Sequence, residues 1–203
     1  NGLRVTDAKT IEIVDLVLNG SVNAEVAEFV SSYDCKTQCL PGKEILSCQR
    51  LDLEEDLGFV GSITKVDTAP IQDALESGLM PIISSTASDE TGQCYNVNAD
   101  TVAAEVAISL GARRLVYLSD VPGLLRNPQD SNSLLSSLPV DQVDSLKSEG
   151  VIAKGMLPKV NSAVDALNSG VNRVHFIDGR LPHSILLEIF TDEGIGTEIV
   201  HAT

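Results

Sequence analysis

Tryptophan is absent from this chain of 203 residues, and aromatic residues together make up 3% of it. A core built without them has to be aliphatic, and Val, Ile, Leu and Ala are the residues of buried parallel strands and their covering helices. Positive charge is also scarce. Lys and Arg number 14 against 29 Asp and Glu, a formal net charge of −15, so nucleic acid and anionic membrane surfaces are not expected partners. A small anionic ligand in a local basic pocket remains compatible with that balance. No apolar run approaches membrane-spanning length and the N-terminus lacks a signal-peptide pattern, so the expected setting is soluble and intracellular.

Several chemistries lack their residues. Cys35-Lys-Thr-Gln-Cys39 does not have the two-residue spacing of a zinc knuckle, no second pair follows, and the three histidines are remote in sequence. The expectation is instead a hairpin, with Cys35–Leu40 and Ile45–Leu51 as arms around Pro41-Gly42-Lys43-Glu44 and cysteine as a small strand residue. Neither G-x-x-x-x-G-K-[ST] nor G-x-G-x-x-G occurs. No Ser-His-Asp or Cys-His set is evident, which leaves hydrolysis by a protein nucleophile with little support.

What is present is a helix–strand rhythm. Ala8–Leu18 places Ile11, Val14 and Leu18 on one stripe, Thr6 or Asp7 can cap it, and Asn19-Gly20 should stop it. Val22–Tyr33 repeats the pattern with Val26, Phe29 and Val30 inward. Phe59–Val66 reads as a strand, Ile71–Glu76 as a short helix and Met80–Ser85 as a buried strand. Helix Thr101–Leu110, strand Arg114–Ser119, a polar loop over Asn127–Ser137, helix Pro139–Lys147, a helix opening at Gly155, strand Arg173–Ile177, helix Pro182–Phe190 and strand Gly196–Val200 complete the chain. Strands alternating with helices predict a parallel-rich sheet covered on both faces.

Three stretches concentrate chemistry. Asn96, Asn98 and Asp100 sit at alternate positions before a helix, where one Asx side chain suffices for a cap and an extended approach would aim all three to one side. Ser119-Asp120-Val121-Pro122-Gly123-Leu124 comes after a strand, where Asp120 can also simply start a turn. Gly155-Met156-Leu157-Pro158-Lys159 opens a helix with a lysine on its first turn, a phosphate-cradle pattern that is equally that of a solvated lysine. In a parallel sheet, ligands lie beyond the carboxyl ends of strands. Amide dipoles, a lysine and an aspartate are the parts of phosphoryl transfer, which needs charge stabilisation and alignment more than a protein nucleophile.

Gly2-Leu-Arg-Val-Thr-Asp7, Leu57-Gly-Phe-Val-Gly61, Asn96-Val-Asn-Ala-Asp100, Leu118-Ser-Asp-Val-Pro-Gly123, Gly155-Met-Leu-Pro-Lys159, Ile177-Asp-Gly-Arg180 and Asp192-Glu-Gly-Ile-Gly-Thr197 together resemble the amino acid kinase family, and within it the acetylglutamate kinases. Each motif alone is weak; all of them in order, over nearly the whole chain, are specific. The resemblance implies an α/β fold, an open αβα sandwich with a mostly parallel central sheet. It implies a remainder of an acetylglutamate-binding and dimerisation lobe over residues 1–90 and a nucleotide-binding lobe over 91–203. The implied reaction is transfer of the γ-phosphoryl group of ATP to the side-chain carboxylate of N-acetyl-L-glutamate, a step of arginine biosynthesis.

Carried over by motif, Arg4 would pair with a substrate carboxylate and Asn96 would hold the α-carboxylate end. Asp100 would orient the catalytic lysines and Lys159 would stabilise the phosphoryl group in flight. Ser119, Asp120, Val121, Gly123 and Leu124, with Gly155 and Met156, would line the nucleotide site, with Mg²⁺ held mainly by the phosphates. His183, Glu193 and Gly196 resemble the arginine-binding turn of feedback-inhibited members, and Gly194 and Gly196 would present bare carbonyls to a guanidinium. The resemblance further implies a homo-oligomer (dimer or hexamer), a cytoplasmic or, in a plant, plastid location, and a PII regulatory protein of the kind that plant and cyanobacterial relatives bind. The family opens with a strand and two glycine-rich turns, one bearing a second catalytic lysine, and this chain starts after them. That start implies a fold without its first strand–helix units and leaves open whether the chain is active by itself. Another amino acid kinase activity, of the carbamate kinase or aspartokinase type, or a non-catalytic arginine-sensing fragment, is the alternative.

Overall fold

The computed structural model describes residues 4–152, 155–191 and 194–202. It is α/β, and its backbone contacts divide it into two units, one ending at Val106 and the other beginning at Ala107. In the first unit, Asp7 caps α1 (Ala8–Val14) by accepting the N–H of Thr10 at 2.7 Å, as a short polar residue at that position should. The expected stop at Asn19-Gly20 does not occur. A π-helical segment (Asp15–Val22) joins α1 directly to α2 (Asn23–Ser31). The reason is tertiary: the Asn19 side chain donates to Asp15 at 2.6 Å and accepts from the hydroxyls of Ser84 and Thr86, which lie 65 and 67 residues further along. One extra residue in a turn rotates the remainder of the helix by about 100°. Val26 and Phe29, expected inside, are therefore 42% and 65% exposed, and Asn23 and Ala27 are buried in their place.

Beyond α2 the chain continues through β1 (Thr37–Leu40), α3 (Gly42–Ile45), β2 (Leu46–Arg50), β3 (Gly61–Val66), α4 (Ala69–Glu76), β4 (Met80–Ile83), β5 (Thr86–Ser88), β6 (Cys94–Asn96) and α5 (Ala99–Ser109). The expected hairpin is absent: β1 pairs parallel with β4, whereas β2 lies between antiparallel β3 and parallel β5. The single turn of α3 is pinned elsewhere. Gly42 N–H donates to Ser84 Oγ at 2.8 Å, Lys43 N–H to Thr86 Oγ1 at 3.2 Å, and a Cβ on Gly42 would overlap the carbonyl oxygens of Ser84 and Thr86. Met80, read as part of a buried strand, is 45% exposed. The cysteines are free, and burial pushes the thiols of Cys48 and Cys94 up to about 12 and about 11, which removes the reactive thiolate at neutral pH.

The second unit holds β7 (Arg114–Ser119), β8 (Ser137–Pro139), α6 (Val143–Ser148), α7 (Leu157–Asn168), β9 (Arg173–Asp178), α8 (Ser184–Phe190) and β10 (Thr197–Val200). Its sheet has the order β7-β9-β10-β8, with β9 parallel to β7 and antiparallel to β10. From Val174 to Asp178 every residue of β9 is buried, the pattern of a strand covered on both faces. Alternate residues point opposite ways: Phe176 stacks on Tyr117 beneath Lys159 of α7, and His175 meets Glu188 of α8. In α8 the usual polarity is reversed. Ser184 and Glu188 are buried, whereas Leu186 and Phe190 are 54% and 79% exposed.

Candidate functional site

Thr6 organises the first unit's polar residues. Its N–H donates to Leu57 O at 2.9 Å and its carbonyl accepts Phe59 N–H at 2.7 Å, and Phe59 O in turn accepts Asn96 N–H at 2.9 Å. The segments around residues 6, 58 and 96 thus lie side by side. Gly58 has φ +73°, and a Cβ there would overlap the Thr6 carbonyl oxygen, so this approach requires glycine. The Thr6 hydroxyl, on a residue only 1% exposed, donates to Arg4 O at 3.1 Å and accepts Asn96 Nδ2 at 3.2 Å. Arg4 and Asn96 are 92 positions apart in the chain, and one buried hydroxyl links them.

Of the three Asx residues, Asn98 is the cap. Its Oδ1 accepts the N–H groups of Asp100 and Thr101 at 2.9 and 3.1 Å. Because α5 begins at Ala99, extended alternation ends at Asn98. The helical turn, and not strand spacing, sets the direction of the half-buried Asp100.

In the second unit, Thr197 has the corresponding part. This fully buried residue accepts Leu124 N–H on its hydroxyl at 2.9 Å. A Cβ on Gly123, whose φ is +141°, would come within 2.6 Å of that hydroxyl oxygen. The turn Ser119–Leu124 is therefore held tight against β10, with Ser119 half-buried and Asp120 exposed. Beside it, Gly179 N–H donates to Ser119 O at 2.8 Å. Asp178 grips Arg180 through Nε at 2.9 Å and Nη2 at 2.8 Å, which holds its carboxyl down at about 2. Gly155 precedes the α7 N-terminus, and a Cβ there would meet nothing. Met156 is the N-cap residue, without a side-chain cap bond, and a helix N-terminus favours an anion. The Lys159 ammonium lies 5.8 Å from the Tyr117 ring centroid.

At the C-terminal turn, His183 occupies the N-cap position of α8 in the left-handed region, with no side-chain cap bond, and Glu193 lies outside the described residues. The turn is organised by an acid that motif reading passed over. Glu188, 8% exposed, accepts Ile195 N–H at 2.7 Å, Gly196 N–H at 2.9 Å and His175 Nδ1 at 2.8 Å. Burial works to raise its carboxyl, and these donors outweigh burial and hold it below its ordinary value. A Cβ on Gly194 would stand 2.8 Å from Glu188 Oε2. Next to this turn is a cavity of about 490 Å³, lined by Arg114, Ser136, Arg173, Glu188, Thr191 and Gly194 among others. Arg173 is paired with Glu198 at 2.9 Å, and its register partner on β7 is Arg114. A sequence signal for Glu188 did exist: Ser184 and Glu188 are the only polar residues of an apolar helix and stand four apart, on one face.

The described residues contain no group of three or more His, Cys, Asp and Glu able to hold a metal ion, and no helix among them is long and apolar enough to cross a membrane. Residues 1–178 match the amino acid kinase family model. The chain is 49% identical over 99% of its length to acetylglutamate kinase of Syntrophomonas wolfei, covering 71% of that protein. It is 47% identical over 98% of its length to acetylglutamate kinase of Thermosynechococcus vestitus, covering 68% of that protein. Among solved structures it is similar to N-acetylglutamate synthase of Neisseria gonorrhoeae in complex with coenzyme A and N-acetyl-glutamate, with a TM-score of 0.88 and 29% identity over the whole chain and 46% of that protein. With this match and these relatives, the chain belongs to the amino acid kinase family, among its acetylglutamate kinases.

Proposed function

We propose that this chain transfers the γ-phosphoryl group of ATP to the side-chain carboxylate of N-acetyl-L-glutamate. The observation that carries the substrate side is the linkage of Arg4 to Asn96 through the Thr6 hydroxyl. One buried hydroxyl holds the Arg4 backbone and the Asn96 side-chain amide, and the exposed arginine beside that amide suits a small molecule with two carboxylates. Residues 1–90 are assigned to this substrate and to self-association, and residues 91–203 to the nucleotide, with Asn96 reaching the substrate from the second stretch. Arg4 pairs with a substrate carboxylate and Asn96 binds the α-carboxylate end. Asp100 supplies the negative charge that orients cationic groups.

On the nucleotide side, Ser119, Asp120, Val121, Gly123 and Leu124 form the wall that Thr197 holds in place, with Gly155 and Met156 at the α7 N-terminus. Lys159 stabilises the phosphoryl group in transit. Mg²⁺ would be held mainly by the ATP phosphates, where it would supply neutralising charge. The attacking nucleophile is the substrate's own carboxylate, so no protein nucleophile is required.

Regulation by arginine is assigned to His183, Glu193 and Gly196. The cavity beside that turn supports the reading, because Arg114 lines it as a cation for a carboxylate and Gly194 brings the turn's backbone to its wall. Self-association is supported by two exposed apolar surfaces: Leu16, Phe29 and Tyr33 along the α1–α2 helix, and Ile185, Leu186 and Phe190 on α8. The test is acyl-phosphate formation from Mg-ATP and N-acetylglutamate, trapped with hydroxylamine, on the full chain with and without arginine. Arg4→Ala should raise the KM for acetylglutamate about tenfold or more and spare that for ATP. An unchanged acetylglutamate KM removes Arg4 from the site, and product insensitive to arginine removes the effector assignment.

A further inference from the structure

We infer that Tyr117 is a positioning residue for Lys159, a ring platform that fixes the ammonium; this rests on the reading of Lys159 as the phosphoryl-stabilising lysine. A lysine ammonium is a point charge on a flexible four-carbon stem, so its helix alone does not fix where the charge sits. Here the ammonium stands 5.8 Å from the Tyr117 ring centroid, within the distance at which the negative face of a ring attracts a cation. The ring cannot turn away. It lies nearly parallel to Phe176, with centroids 5.2 Å apart and an interplanar angle of 10°, and the two residues are 5% and 0% exposed. They are direct partners in the β7–β9 register, so the sheet itself sets the stack. The helix is fixed as well, since Val160 and Ala163 of α7 are fully buried.

The aromatic residue is chemically apt. A ring face orients the cation without taking its proton or cancelling its charge. Composition sharpens the point, because Tyr117 is one of only three tyrosines in a chain without tryptophan, and the rest of β7 is Leu, Val and polar.

The experiment compares Tyr117→Leu, Tyr117→Phe, Lys159→Ala and the Tyr117→Leu/Lys159→Ala double variant in the full chain by steady-state acyl-phosphate formation. Tyr117→Leu should lower kcat about tenfold and leave both KM values within about twofold, Tyr117→Phe should stay within about threefold of wild type, and Tyr117→Leu should cost nothing further once Lys159 is alanine. In case the leucine variant does not fold, mono-, di- and trifluorinated phenylalanine at position 117 keep the ring and drain its negative face. In that series kcat should fall stepwise. An unchanged kcat in Tyr117→Leu and across the fluorinated series, with Lys159→Ala impaired, overturns the platform alone. Equal losses from Tyr117→Leu with and without Lys159 also overturn it. An unimpaired Lys159→Ala overturns the reading of Lys159 and the platform with it.

Discussion

The two units each contain a short contact between a basic side chain and a carboxylate, in opposite surroundings. In the first, Lys43 meets Asp15 at 2.7 Å with the side chains 34% and 30% exposed. In the second, His175 meets Glu188 at 2.8 Å with side chains 5% and 4% exposed. Distance therefore says nothing about what either pair is worth, and burial decides. Water competes for the outer pair and screens it, while the inner carboxylate has been stripped of water and depends on its protein donors. The units also differ in what they put inside. The first keeps its charges at the margin and uses neutral hydroxyls, those of Thr6, Ser84 and Thr86, for buried polar contacts. The second takes a charged group into its core and wraps the Ile195-Gly196 turn around it.

Breaking the inner pair should have the largest effect. Glu188→Ala leaves His175 Nδ1 and two backbone N–H groups without their acceptor and should cost about 3–5 kcal/mol of stability in urea unfolding. A loss below about 1 kcal/mol would mean that the turn does not depend on this carboxylate. The pH dependence has a definite sign. The Glu188 carboxyl lies below its ordinary 4.5 when folded, so the unfolded chain binds the proton more readily. The contribution of the carboxylate is complete above about pH 4.5 and disappears as pH falls through the lower, folded value. Glu188→Gln should flatten that part of the acid limb of the stability curve, and an unaltered limb would assign it to other carboxylates.

The same contrast explains which parts of the molecule were readable from sequence. Strand β7, helix α7 and the presence of an Asx cap on α5 were readable because each depends on local pattern: an apolar run after a turn, a helical stripe, one Asx before a helix. The π segment was not, because Asn19 is drawn out of the ordinary helical turn by Ser84 and Thr86, and a local window does not contain them. The Cys35–Leu51 stretch looked like a hairpin because two strand-like runs flanked Pro-Gly. The Gly42 backbone instead serves a contact to the segment at residues 84–86. Arg4 and Asn96 were singled out through motifs, but the Thr6 hydroxyl that joins them belongs to tertiary structure. Glu188 was passed over because acids on helices are ordinarily surface groups, and here the apolar residues of α8 are outside.

Thr6→Val tests the neutral arrangement of the first unit at an intermediate scale. Valine keeps the volume and removes the hydroxyl, so Asn96 Nδ2 loses its acceptor and the Arg4 carbonyl its donor. A stability loss of about 1–2 kcal/mol is expected. The sharper readout is kinetic: the KM for acetylglutamate should rise about three- to tenfold while that for ATP stays put. A stability loss with both KM values unchanged would make Thr6 a structural anchor with no part in aligning Arg4 and Asn96.

Lys43→Met should have the smallest effect and, for that reason, decides whether burial or distance ranks the two pairs. The stem of methionine replaces most of the lysine stem, and the backbone contact from Lys43 N–H to Thr86 remains available. Asp15 also keeps the Asn19 amide at 2.6 Å as a donor. What is lost is a pair of which each side chain is about one-third exposed, a class that contributes about 0–1 kcal/mol. The loss should shrink further as salt rises from low ionic strength to near-molar concentration, because an outer pair is screened there. Glu188→Ala, by contrast, should lose nearly the same stability at both salt concentrations. If Lys43→Met instead costs more than about 2 kcal/mol and ignores salt, the Asp15–Lys43 pair is a structural equal of the inner one. The π segment would then owe its register to that charge as much as to the Asn19 contacts.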